Sequence, residues 1–396
     1  MTVNQRNVLI WMLAASLAST IGGLPFNTLP ILLGSLADSF GFEPTHIGLL
    51  GSVCFTGYLV GTLVAVGFID RCNWRALTFT CAAGSALALL ASARLPAAAQ
   101  LPLWALIGFF AAMMTCLGLR IMAQMPNKER AFGMRQGIEL GLVALVLFVL
   151  PSMVIAHFQY AGGALVLAAM ILLLSLSAFA LPRRSEFSEK VDLAKDSSLQ
   201  GRFRFPVPAY WALGFFFVFG AGQIGLWAFL ERLGHGLAVE PAQMGIVFAV
   251  LKLLGGAAAL ALALIGDRLG PRWPHVLVLG VISTGLLLLA KAQGFALYAL
   301  GAWIWEVGFC WGCIYQTSAV ARLDPSGRAI MFIPAAFALS SMVGPALAGQ
   351  LVAGGFAGLL WLALATAVVP VVAFAGLLAR RLALRPVLLS TADSAA

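Results

Sequence analysis

Three ionisable side chains stand deep inside long apolar runs: Lys252, Glu306 and Glu139. An ionised group near a bilayer centre costs roughly 2.5–3.5 kcal/mol on insertion scales, so each is expected to face a cavity or a partner. The chemistry open to them is narrow. An ammonium recognises a carboxylate, a carboxylic acid takes up and gives back a proton, and a pair can exchange one partner for another. Lys252 shares a helical face with Gly245, Phe248, Ala249, Gly255, Gly256 and Ala259, whose small side chains suit a cavity wall or a close helix contact. Glu306 has Trp303, Cys310 and Cys313 on its face. Glu139 follows Arg135 and Gln136 by one turn, and Arg120 ends the preceding apolar run, so Arg120, Arg135 and Glu139 read as a charge network on the cytoplasmic side. That network is equally compatible with a structural and a functional role. Asn27, Thr28, Tyr58, Gln223, Trp227, Tyr315 and Gln316 are candidates for lining a cavity, with helix-to-helix hydrogen bonding as the alternative. Glu231 and Arg232 are expected at the outer interface.

Other chemistries find no support. Cys310 and Cys313 stand three apart in an apolar run without a second Cys or His pair, so packing is favoured over zinc or redox work. His46, His157, His235 and His275 fall near the ends of apolar segments and form no metal set. There is no phosphate-binding glycine loop ending in Lys, and no nucleophile–base pair. No cofactor, metal or enzymatic activity is expected.

The elements that must hold these residues are membrane spans. Of 396 residues, 61% are hydrophobic and 10% charged, whereas soluble domains run about 45–50% apolar and about 25% charged. Mean hydropathy is +0.98. This excludes a soluble enzyme, a disordered chain and a nucleic-acid binder; the net charge of +9 belongs to basic residues at the ends of apolar segments. Twelve stretches reach the ~20 apolar residues that a spanning helix needs: 7–36, 46–69, 76–93, 100–123, 131–155, 161–181, 208–230, 242–265, 274–291, 296–319, 329–353 and 355–379. Pro25 and Pro30 mark a kink or break near the outer end of the first. With the N-terminus inside, 20 Lys and Arg lie on the inner side against 3 on the outer, with Lys252 within a span, so both termini are expected in the cytoplasm. The polar stretch 182–207, with ten charges, reads as a cytoplasmic linker between bundles at 1–181 and 208–380, and 381–396 as a cytoplasmic tail.

The halves repeat. Glu43-Pro44, Gly48 and Asp70-Arg71 recur as Glu240-Pro241, Gly245 and Asp267-Arg268, each 197 positions later. Parallel six-span halves related by an axis along the membrane normal are a transporter architecture. The stretch Gly67, Asp70, Arg71, Arg75 resembles the loop between helices 2 and 3 of the major facilitator superfamily, which reads Gly-x-x-x-Asp-Arg-x-Gly-Arg-Arg or a close variant. Gly266, Asp267, Arg268, Gly270 and Arg272 resemble its second copy, while Asn73 replaces a usual Gly in the first. The resemblance extends over the whole chain through span count, linker and repeat. It implies two six-helix bundles that rock about a midplane site, with Asp70, Arg71, Arg75, Asp267, Arg268 and Arg272 as gating contacts at helix ends.

The reading is a secondary transporter of a bacterial-type inner membrane. It would act as a monomer, with a small-molecule substrate, the lipid bilayer and protons as its partners. Neither repeat partner of the second-half charges is ionisable: Phe55 for Lys252, Phe109 for Glu306. Lys252, Glu306, Trp303, Gln223, Trp227, Asn27 and Tyr58 are the expected substrate-binding residues, and Glu306 and Glu139 the proton carriers. Uptake of a small organic anion, a monocarboxylate or an aromatic acid, is favoured: ionised Glu306 would hold Lys252, and its protonation would free the ammonium for the substrate. The alternative is proton-coupled export of hydrophobic or cationic compounds. Against it, the superfamily's antiporter signature in helix 5 needs a Gly-Pro, and Gly133, Gly137 and Gly141 are followed by no Pro before Pro151. A Gly344-Pro345 pair lies instead in the eleventh span.

Overall fold

The computed structural model describes residues 3–123, 125, 128–183, 206–265, 272–324 and 329–377; Asp267, Arg268 and nearly all of the linker lie outside them. Every regular element among these residues is helical. In order they are α1 (Val3–Phe40), α2 (Pro44–Phe68), α3 (Trp74–Ser92), α4 (Gln100–Ala123), α5 (Lys128–Val149), α6 (Ala156–Ser175), α7 (Val207–Gly236), α8 (Pro241–Ile265), α9 (Trp273–Ala290), α10 (Phe295–Leu323), α11 (Ile333–Val352) and α12 (Phe356–Pro370).

Eleven apolar segments among the described residues are long enough to cross a membrane, and one of them, Met134–Ala180, is 47 residues long. At 1.5 Å per residue it is about 70 Å, more than twice a ~30 Å hydrocarbon core, so it holds two crossings. The π-helical stretch Leu150–Ile155 joins α5 to α6 without a coil, and Gln159, at φ 53°, breaks the helical path where the chain reverses. Twelve crossings result. The expected break in the first span is absent: α1 runs 38 residues through Pro25 and Pro30. Between and beside the prolines, Asn27 and Thr28 donate side-chain hydrogen bonds to the carbonyls of Gly23 and Leu24. Packing against neighbouring helices lets membrane helices tolerate proline.

The chain forms two compact units: Met1–Val191 with Ala228–Leu253, and Asp192–Trp227 with Leu254–Ala396. In the first, α1 packs on α4, α5 and α6, α2 on α4, and α3 on α4 and α6. The α2–α4 crossing is a backbone contact, since a Cβ on Gly57 would strike the Ala105 carbonyl and one on Gly108 the Cys54 carbonyl. In the second unit, α9 packs on α10 and α12, and α11 on α12. Ala209, Ala212, Val320, Leu323 and Phe374 close a core there. Large apolar side chains left outside, among them Leu63, Leu87, Leu173 and Trp361, belong to a lipid-facing surface.

The repeat is written into the backbone. Phe42 N–H bonds to the Ala37 carbonyl after α1, and Val239 N–H to the Gly234 carbonyl after α7. The same six-to-one bond thus recurs 197 positions on, and the residue inside each turn is left-handed, Gly41 at φ 68° and Ala238 at φ 55°. Each turn leads into a Glu-Pro that opens the next helix.

Candidate functional site

In the first unit, a polar cluster forms where α1, α2, α4, α5 and the middle of α8 contribute side chains. Arg135 Nη1 lies 2.6 Å from Glu139 Oε2, an ion pair one helical turn apart on α5. The same nitrogen donates to Ser19 Oγ on α1 at 3.0 Å, and Nη2 to Gln136 Oε1 at 2.9 Å. Arg135 Nε is buried and has no acceptor among the described residues. The Glu139 carboxylate rests on Gly23 of α1, where any Cβ would collide with it. Lys252 is 9% exposed and acts electrostatically on Glu139. The Tyr58 side chain reaches the same cluster, with Thr115, Glu139 and Arg135 as its polar neighbours. Asn27 is buried one turn beyond Gly23 on α1. Tyr58, Asn27, Arg135, Glu139 and Lys252 therefore belong to one unit, with Lys252 electrostatically linked to Glu139. Ser19, Gly23 and Thr115 were not among the expected residues, because a Ser, a Gly and a Thr in apolar helices carry no signal until a charge is seen beside them. Arg120 is exposed near the end of α4.

Glu306 and Lys252 fall in different units. In the second, Glu306 is 8% exposed on α10, with its carboxylate over Gly255 of α8. Cys310 Sγ donates to the Gly255 carbonyl at 3.3 Å, and Trp311 Nε1 to the Ala258 carbonyl at 2.9 Å. Gln223 is fully buried and both its ends are engaged: Nε2 donates to the Ala363 carbonyl at 2.7 Å and to Thr366 at 3.1 Å, while Oε1 accepts from Trp305 Nε1 at 2.8 Å. Its hydrogen bonds tie α7, α10 and α12 together. Trp227 is buried and Trp303 half-buried.

At the helix ends, Asn73 caps α3 by accepting from the N–H groups of Arg75 and Ala76, so the residue in place of the usual Gly has a capping role of its own. Arg75 Nε donates to the Leu181 carbonyl at 2.6 Å, and Trp74 N–H to the Arg183 carbonyl. These bonds fasten α3 to the chain beyond α6. Arg71 and Arg272 are exposed. The Asp70 side chain, like Asp267 and Arg268, lies outside what is described. Glu231 and Arg232 do not end the helix: α7 continues to Gly236, and their side chains are only 12% and 16% exposed.

Helices long and apolar enough to cross a membrane, an internal repeat and charges buried within those helices define a polytopic membrane protein. The sequence matches the Major Facilitator Superfamily over residues 12–326, and the chain belongs to that family. Comparison with curated protein sequences finds no match. Among solved structures, a point mutant of the nucleoside transporter NupG is similar with a TM-score of 0.75 at 14% identity, over 92% of this chain and 98% of that one. A bacterial homolog to the human lysosomal transporter Spinster reaches 0.68 at 14% identity, over 94% and 95% of the two chains. A D-xylose-proton symporter reaches 0.68 at 13% identity, over 92% and 96%. At these identities the likeness is one of fold.

Proposed function

We propose that this transporter takes up a small organic anion together with a proton, and that Arg135, Glu139 and Lys252 carry the coupling. The observation behind this reading is the half-buried Arg135 guanidinium, which grips Glu139 with Nη1 and keeps a buried, uncommitted Nε donor. A buried donor without an acceptor is costly, by about 1–3 kcal/mol, and a ligand carboxylate supplies the acceptor. Ionised Glu139 competes with that carboxylate for both Arg135 and Lys252. When Glu139 takes a proton, its hold on the two cations falls, and the substrate anion replaces it as their partner. Proton and anion then load together. In this scheme Tyr58, Thr115 and Asn27 orient the substrate, and Glu306, over Gly255 in the second unit, is the second protonatable group. Gln223 has a structural role. Both termini face the cytoplasm, following the basic residues at the helix ends.

The test is uptake into proteoliposomes with a panel of monocarboxylates, aromatic acids and organic cations under an imposed proton gradient. Carboxylate accumulation driven by an inward gradient, and lost in Lys252→Ala and Arg135→Ala, is the expected result. Proton-driven cation movement that survives both substitutions would replace this reading with export.

A further inference from the structure

A cavity of about 530 Å³ lies within the first compact unit, where the last turns of α1 and α7, the joint between α5 and α6 and the start of α8 come together. Sites for small organic molecules have volumes of this order. Ile31, Ser35 and Asp38 line it from one face of α1, and Glu231 and His235, one turn apart, line it from α7. Three carboxylates, those of Asp38, Glu231 and Glu240, stand in the lining with no Lys or Arg beside them among the described residues. Pro151 and Met244 belong to an apolar wall. One guanidinium from outside the lining serves two of the acids. Arg232 Nη1 pairs with Asp38 Oδ1 at 2.7 Å, and its Nε lies 3.4 Å from Glu231 Oε2 without a hydrogen bond between them. Glu231 Oε2 is itself buried and accepts no hydrogen bond among the described residues. Ser35 gives an independent sign. Elsewhere on α1, Ser16, Thr20, Asn27, Thr28 and Ser39 each donate to the carbonyl one turn back. Ser35 is only 6% exposed, yet its hydroxyl makes no hydrogen bond among the described residues and lines the cavity instead. A buried acceptor and a buried hydroxyl left unmet are costly, and a ligand that carries N–H donors meets both. A positive charge on that ligand answers the surplus carboxylate, and a hydrocarbon body covers the apolar wall. A metal ion is a poor fit, since no three His, Cys, Asp or Glu among the described residues are placed to hold one. An aminophospholipid head group fits no better, because its phosphate would enter a lining of carboxylates without Lys or Arg.

We propose that this cavity is a binding site for a free primary amine with a hydrocarbon body, its ammonium held by Glu231 and Ser35 and faced by Asp38 and Glu240. The site stands apart from the Arg135 cluster: Ser35 is about 18 Å along α1 from Gly23, on which Glu139 rests. It does not depend on anion uptake and is tested without it. The probe is phenethylammonium, titrated calorimetrically into the purified full chain in detergent, with phenethyl alcohol as the neutral analogue. Saturable binding of the ammonium, and none of the alcohol over the same range, is expected. Glu231→Gln keeps the shape and removes the charge, so it should weaken binding about tenfold or more, and Ser35→Ala should weaken it about threefold. Glu139→Gln should bind the probe as the parent does. A parent without saturable binding, or binding that Glu231→Gln leaves unchanged, would overturn the site. Binding lost in Glu139→Gln and kept in Glu231→Gln would also overturn it, by placing the amine at the coupling cluster and favouring the export of cations. Should Glu231→Gln fail to fold, Ser35→Leu, which fills the cavity without changing a charge, is read in its place and should abolish binding; binding that survives it overturns the site. If carboxylates are not transported while the amine binds in the expected order, this site stands and the uptake reading alone falls.

Discussion

Glu139 carries the heaviest assignment of any residue here, because it has a bonded guanidinium on its own helix, an ammonium from α8 acting on it and a glycine beneath it. Glu139→Gln keeps the shape and removes the charge. It should abolish proton-driven accumulation while leaving exchange of substrate across the membrane, since the neutral amide mimics the protonated state; counterflow measured beside net uptake checks this. Gly23→Val should lose both, because its side chain occupies the carboxylate's position. Gln223 makes the contrast. With its amide engaged at both ends, Trp305→Phe deletes one hydrogen bond and leaves a buried acceptor unmet, at a cost of about 1–3 kcal/mol. That should appear as a lower melting temperature in detergent, with transport per folded molecule little changed. Sequence pattern alone ranked Gln223 beside Tyr58 as a cavity liner. A polar side chain in an apolar helix looks the same whether its partner is a neighbouring helix or a ligand, and only the partners separate the two.

At the scale of elements, apolar length located the crossings to within a few residues, because a bilayer dictates both helix length and the satisfaction of every backbone group. It allowed a break in α1, which runs unbroken through both prolines, and it ended α7 near Glu231 and Arg232, which stand inside a helix that continues to Gly236. Neither extension is visible in hydropathy. The repeat was legible in five residues, and the structure adds a signal that no residue type carries: Gly41 and Ala238 both turn left-handed. Alanine adopts that conformation at a cost of about 1–2 kcal/mol, which glycine avoids. Ala238→Gly should therefore stabilise the α7–α8 turn, offset in part by the entropy of the unfolded chain, with a net gain of about 0.5–1 kcal/mol in a thermal melt. Gly108→Val should do the reverse at the α2–α4 crossing, by about 1–3 kcal/mol, because the backbones leave no room for a side chain.

For the whole molecule, family and fold follow from composition, span count and repeat, and they leave cargo open, since one fold hosts many substrates. Three buried charges narrow the cargo. Sequence depth paired Lys252 with Glu306, as both lie about halfway through their helices. Lys252 belongs to the unit that holds Arg135 and Glu139, and the coupling proposed above is carried on α5. Helix periodicity orders residues within one helix and says nothing of which neighbour a face meets, so the contacts of Arg135 with Ser19 and of Glu139 with Gly23 were out of reach of the sequence. The most direct measurement of the central claim is accumulation of a radiolabelled carboxylate in proteoliposomes under an inward proton gradient, comparing the parent protein with Glu139→Gln and Lys252→Ala. The account predicts accumulation in the parent that collapses with a protonophore, equilibration without accumulation in Glu139→Gln, and no uptake in Lys252→Ala. Gradient-driven accumulation that persists in Glu139→Gln would contradict it.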